Sequence, residues 1–128
     1  MSEEEEKPVR HFSAEEANAL LPSVAPLVEA LRDAQAVMEE RQDEVTESIP
    51  TNGGGAVHRE FLEATARAAK ALGALEELGL VVRDPSSGLV DFPAVREGQE
   101  VFLCWRLGEP SVAWFHPPET GFAGRQPL

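Results

Sequence analysis

The stretch "LGLVVRDPSSGLVDF", residues 78–92, is where this chain stops reading as helix and starts reading as sheet. Upstream of it, apolar residues return every three or four positions. Within it, two short runs of β-formers flank Pro85-Ser86-Ser87-Gly88, a cluster of turn residues, which reads as strand, turn and strand. Gly79 stops the preceding helix, and Leu80 fits a Schellman end, in which the residue two past the last helical one packs back on the final turn.

Working back from Gly79, residues Phe61, Leu62, Thr65, Ala68, Ala69, Leu72, Leu75 and Leu78 form one side of an amphipathic helix, with Arg59, Glu63, Arg67, Lys70 and Glu77 on the other. The small residues Ala66, Ala69 and Gly73 predict a close approach to a second helix. That helix precedes it. Ser13 followed three positions later by Glu16 is a capping-box pattern, with Phe12 placed to staple the first turn. Apolar spacings of three and four then continue from Ala17 to Met38, and the helix should reach about Ser48. Pro22 and Pro26 each remove a donor and crowd the carbonyl four residues back, so a kink or a fresh start is predicted near residues 21–23. The glycine-rich "IPTNGGGA", residues 49–56, lets the chain reverse, making an antiparallel helical hairpin.

Working forward, "EVFLCWRL" and "SVAWFH" are a second strand pair joined at Gly108-Glu109-Pro110. The fold class predicted is α+β, a long antiparallel helical hairpin packed on a small antiparallel β-sheet of about four strands. Residues 1–10, with four consecutive glutamates, read as a disordered acidic tail. Residues 11–128 read as one α+β domain, with the hairpin at 13–79, the sheet at 80–117 and a carboxyl-terminal tail at 118–128.

The composition narrows the function classes. With 128 residues, 42% of them apolar, one core is feasible without disulfides or structural metal. No apolar run approaches the ~20 residues of a membrane span, so no membrane association is expected. The first ten residues are acidic where a secretory signal would be basic and then apolar, and the chain has one cysteine, so a cytoplasmic location is expected. The net charge of −12 lies mainly in residues 1–48, which hold 13 acidic and 4 basic side chains, and it argues against nucleic-acid binding.

Residues 88–128 resemble the carboxyl-terminal signature of bacterial domain-of-unknown-function family 2203. The matching elements are Gly88-Leu89-Val90-Asp91-Phe92-Pro93, Leu103-Cys104-Trp105, Gly108-Glu109, the stretch from Trp114 to His116, and Gly121-Phe122-Ala123-Gly124-Arg125. The opening "EEANALLPSVAPLVEAL" is similar to that family's first helix, so the resemblance covers nearly the whole chain. The chain departs from the family pattern where Phe115 stands between Trp114 and His116. The resemblance implies a fold and brings no activity with it.

Two sets of side chains carry chemistry. Asp91, Cys104 and His116 offer oxygen, sulfur and nitrogen ligands on neighbouring strands, suited to a transition metal such as zinc or iron. Strand parity argues against that set. Joining the apolar face of 101–107 to the more apolar face of the return strand places Trp105 beside Trp114 and puts Cys104 and His116 on opposite faces, unless a bulge reverses the parity. The second set is Trp105, Glu109 and Arg125, candidates for holding a small ligand, with Arg125 also able to pair with Asp91 or Glu109. About 20 Å of extended strand separates Glu109 from His116, so the two are not expected to share a site within one subunit. Cys104, between Leu103 and Trp105, reads as a buried and inert thiol.

The strands carry apolar residues on both faces, while one helical layer covers only one, so a homodimer is expected to cover the other. The reading reached from sequence is therefore a homo-oligomeric interaction or small-ligand-binding module with no cofactor. The alternative is a metal-binding protein or metal-dependent enzyme with its site near the carboxyl-terminal hairpin.

Overall fold

A computed structural model of the chain describes residues 9–47 and 55–128. Most of the acidic stretch 1–10 and of the glycine-rich turn 49–56 lies outside the described residues. Two helices, α1 (Ala14–Glu47) and α2 (Gly55–Glu77), are followed by five strands: β1 (Val81–Asp84), β2 (Leu89–Arg96), β3 (Gln99–Arg106), β4 (Trp114–His116) and β5 (Gln126–Pro127). The strands form one antiparallel sheet in sequence order, one strand more than the four read from sequence, because the chain's last residues pair with β4. Among the described residues no helix is long and apolar enough to cross a membrane.

The start of α1 is the capping box its sequence specifies. The Glu16 amide donates to Ser13 Oγ at 3.0 Å, and the Ser13 amide donates to the Glu16 carboxylate at 2.9 Å. Phe12 does more than staple the first turn. Its ring meets Phe92 edge-on with centroids 5.4 Å apart, and its amide donates to the Pro93 carbonyl at 2.7 Å, so the helix start is bound to β2.

The fresh helix start offered as one outcome at Pro22 and Pro26 is absent, and α1 runs as one helix from Ala14 to Glu47. Both prolines are exposed and four residues apart, on the helix side facing water. Solvent can serve the carbonyls they leave without donors, while Val24 and Val28 on the opposite side are completely buried and hold the helix on course.

The hairpin contact is also rotated from the expected one. Ala66 and Ala69 are exposed, and a Cβ built on Gly73 meets nothing within 4 Å. The buried stripe of α2 is Ala64, Ala71 and Leu75, facing Val28, Leu31 and Ala34 of α1, with Leu62 left 63% exposed. In an alanine-rich helix several faces are small enough to approach a neighbour, and packing of the larger Leu75 against the sheet selects among them. The Schellman end is present, with the Leu80 amide bonded to the Leu75 carbonyl at 3.1 Å and the Gly79 amide to Glu76 at 3.0 Å.

In the sheet, Val90, Phe92, Ala94, Val101, Leu103 and Trp105 point toward the helices and join Val24, Val28, Leu31 and Leu75 in one core. β2 continues through Pro93 because that residue lies past the end of β1 and its carbonyl turns to the Phe12 amide, away from β3, so the missing amide costs no ladder bond. Gly88 closes the β1–β2 turn at a φ of +76°, and a Cβ there would come within 2.7 Å of Leu107 Cβ. A side chain is excluded at that position twice over.

The β3–β4 register corrects the expected parity. Phe102 opposes His116, Leu103 opposes Phe115 and Cys104 opposes Trp114, so Cys104 and His116 share a face and Trp105 does not lie beside Trp114. The cause is the connection. Only Trp114–His116 is strand, and Ser111-Val112 turns inward so that Val112 is buried and exchanges backbone hydrogen bonds with the Asn18 side chain, its amide donating at 2.8 Å and its carbonyl accepting at 3.1 Å. Filling a core position with Val112 shifts the return strand by one residue relative to a tight hairpin.

The sheet face away from the helices carries Asp91, Phe102, Cys104, Trp114 and His116. The chain's own segment 117–125 lies over part of it: Pro118, Thr120, Gly121 and Phe122 line one cavity with Asp91, Cys104 and His116, and the Arg125 guanidinium lies over the Trp114 ring. Arg106 and Arg125 sit 4.6 and 4.1 Å from the Phe122 ring centroid. Cover for that face therefore does not require a second copy, which was the physical reason for expecting a homodimer there.

Candidate functional site

Asp91 is the centre of the polar cluster under that segment. It is 1% exposed, and its Oδ2 accepts from the Arg83 Nε at 2.7 Å and lies 2.9 Å from His116 Nε2. His116 is 3% exposed, and its other nitrogen, Nδ1, is 2.8 Å from the Pro117 carbonyl. The imidazole thus faces an oxygen acceptor at each nitrogen. Asp91 Oδ1 is buried and has no hydrogen-bond partner.

Local structure sets each of these positions. Val81 opposes Asp91 across the β1–β2 ladder, and Arg83, two residues further along β1, shares that face, with the register shifting beside it between Val82 and Asp84. Phe102 forms the floor of the cluster: its ring stacks on His116 with centroids 5.6 Å apart, and the Arg83 guanidinium lies 4.7 Å from its centroid.

Cys104 opposes Asp91 across the β2–β3 ladder and is 1% exposed. Burial first, and then the negative charge of Asp91, push its thiol up to about 11, against the opposing effect of the Arg125 guanidinium, which lies 3.9 Å from the sulfur. It is a poor nucleophile.

Beyond Cys104, Arg125 forms a two-pronged pair with Glu109, one contact being 3.2 Å, and its guanidinium lies 4.6 Å from the Trp114 centroid. Burial works to raise the Glu109 carboxyl, but the Arg125 hydrogen bonds, the Arg106 amide and both guanidinium charges outweigh it and hold Glu109 below the usual carboxylate range. Arg125 therefore pairs with Glu109 and not with Asp91. Glu109 reaches the edge of the cluster because the carboxyl-terminal segment folds back toward it, a path that strand length alone does not anticipate.

A cavity of about 180 Å3 lies against the cluster, lined by Arg83, Leu89, Asp91, Cys104, His116, Pro118, Thr120, Gly121 and Phe122. A larger open groove of about 650 Å3 runs along the Arg96–Glu100 end of the sheet, but no buried ionisable side chain lines it, so the smaller cavity is the site.

Of the residues read from sequence, Asp91, Cys104 and His116 meet at this cavity. Among the described residues no group of three or more His, Cys, Asp or Glu side chains is placed to hold a metal ion, and both His116 nitrogens are already engaged. Glu109 and Arg125 bond each other at its margin. Trp105 is on the helix side, 2% exposed, with its indole N–H donated to the Glu109 carbonyl at 3.1 Å. Sequence reasoning missed Arg83, Phe102 and Thr120. The available signal was Arg83 itself, a cation inside an apolar strand two residues before a turn, with a carboxylate three residues after that turn.

A family model described as "Uncharacterized conserved protein (DUF2203)" matches residues 10–128. The chain belongs to the DUF2203 family. No curated protein and no solved structure matches the chain. The DUF2203 match takes in every residue of the cluster, from Arg83 to Arg125, and its description states no activity.

Proposed function

We propose that this DUF2203 protein binds a small polar ligand in the cavity above Asp91 and His116. One observation carries the reading: a buried carboxylate–imidazole pair is part of the lining of a cavity. A buried ion pair adds little stability over a well-packed apolar pair, so its presence beside a cavity is better accounted for by what the cavity holds. The high thiol pKa of Cys104 favours binding over covalent catalysis through that residue.

The volume corresponds to about six water molecules at ~30 Å3 each, which bounds the ligand at about six non-hydrogen atoms. Titrating 15N-labelled protein with small polar compounds at millimolar concentration tests the proposal. Saturable shifts confined to the amides of Leu89, Asp91, Thr120, Gly121 and Phe122, lost in a cavity-filling Leu89→Phe variant, are the expected result. Shifts scattered over the surface, or unaffected by that variant, would overturn it.

A metal centre on Asp91, Cys104 and His116 has less support, because a metal would have to displace Asp91 from Nε2 and draw the proton from a thiol that burial protects. Elemental analysis of protein purified without added metal distinguishes the two readings.

A further inference from the structure

We infer that the ligand of this cavity is a short monocarboxylate, gripped by the free edge of the Arg83 guanidinium. The inference rests on the binding role proposed for the cavity and names the chemistry of what it takes.

Arg83 is held from two sides. Its Nε donates to Asp91 Oδ2 at 2.7 Å, and the flat of its guanidinium lies over the Phe102 ring at 4.7 Å. Its two terminal nitrogens take no protein partner among the described residues, and the side chain, 42% exposed, lines the cavity. One of the five N–H donors is therefore spent on orientation, and the four on the terminal nitrogens remain for an oxyanion. A planar fork already fixed in direction loses little entropy on gripping a carboxylate, whose two oxygens match it.

The lining of the cavity is consistent with the same class. Leu89, Pro118 and Phe122 add apolar surface to the lining, which suits a short hydrocarbon end. Room for about six non-hydrogen atoms fits acetate through butyrate.

The test is a titration of the full chain, followed by amide shifts, with acetate, propionate and butyrate, with propionamide as the neutral counterpart, with inorganic phosphate, and with sodium chloride as the ionic-strength control. Propionate or butyrate should give saturable shifts at Leu89, Thr120 and Gly121, and propionamide should bind at least tenfold more weakly. Arg83→Gln should weaken carboxylate binding tenfold or more, and Arg83→Lys, which keeps the charge without the fork, should weaken it less. The unchanged remainder of each variant's spectrum reports that it is folded. Equal binding of propionamide, or phosphate binding without carboxylate binding, would overturn the carboxylate assignment and leave the cavity as a binding site. Failure of every compound to shift these amides would overturn both. Undiminished carboxylate binding by Arg83→Gln would remove Arg83 from the site.

Discussion

His116 Nε2 lies 2.9 Å from Asp91 Oδ2 with both side chains at 3% exposure or less, although 25 residues separate them in the chain. The pair joins β4 to β2 across the intervening β3, on the sheet face that the helices do not reach. Removing either partner leaves the other buried without it, a loss of about 3–5 kcal/mol. Asp91→Ala and His116→Ala should each fall in that range by urea unfolding, and the double variant should cost well under the sum. Additive losses would show that the two side chains do not act as a pair.

Acid should weaken the Glu109–Arg125 pair in one direction only. Glu109 is held below its ordinary value of 4.5 in the folded chain, so its stabilisation is complete above that value and is lost as pH falls through the folded one. The hydrogen bond to Glu109 raises Arg125 above its already high ordinary value, so its contribution is constant across the accessible range. Glu109→Gln should lose about 1–3 kcal/mol at pH 7 and should show a shallower loss of stability below pH 4.5 than the parent chain. Parallel acid limbs for the two proteins would contradict the assignment.

The Cys104 thiol should resist labelling. Buried and pushed up to about 11, it carries roughly a hundredfold less thiolate at pH 8 than an ordinary cysteine, before access is counted. An aromatic disulfide reagent should react with the native protein more than a hundredfold more slowly than with the unfolded chain. Comparable rates would mean that segment 117–125 opens readily.

Two glycines separate strain from sterics. Gly88 and Gly98 have φ of +76° and +78°, but a Cβ meets Leu107 at 2.7 Å in the first and nothing within 4 Å in the second. Gly98→Ala should cost about 1 kcal/mol, the left-handed penalty alone, and Gly88→Ala should cost about 2 kcal/mol or more, as read from denaturant midpoints. Equal losses would place the Gly88 constraint in the backbone only.

Recognition of the site from sequence went as far as its residue types. Asp91, Cys104 and His116 stand out as the capable side chains, and the structure does bring them to one cavity. Their mutual placement was out of reach because it depends on Val112, whose burial against Asn18 shortens β4 and reverses the parity of the hairpin. Arg83 is reached by alternation once the β1–β2 register is known, since Val81 opposes Asp91 and Arg83 lies two residues on, but the sequence does not fix that register.

The elements themselves were determined by the sequence alone. Ser13 with Glu16 starts α1, Gly79 with Leu80 ends α2, and the alternating apolar residues of 90–94 and 101–105 make one face of a sheet, since each signal acts over a few residues of backbone. Only the tertiary structure decided which small face of α2 meets α1, whether Pro22 and Pro26 break a helix, and which sheet face receives His116. In those three cases the local preferences differ by little, and the burial of Leu75, Val24, Val28 and Val112 in a common core selects among them.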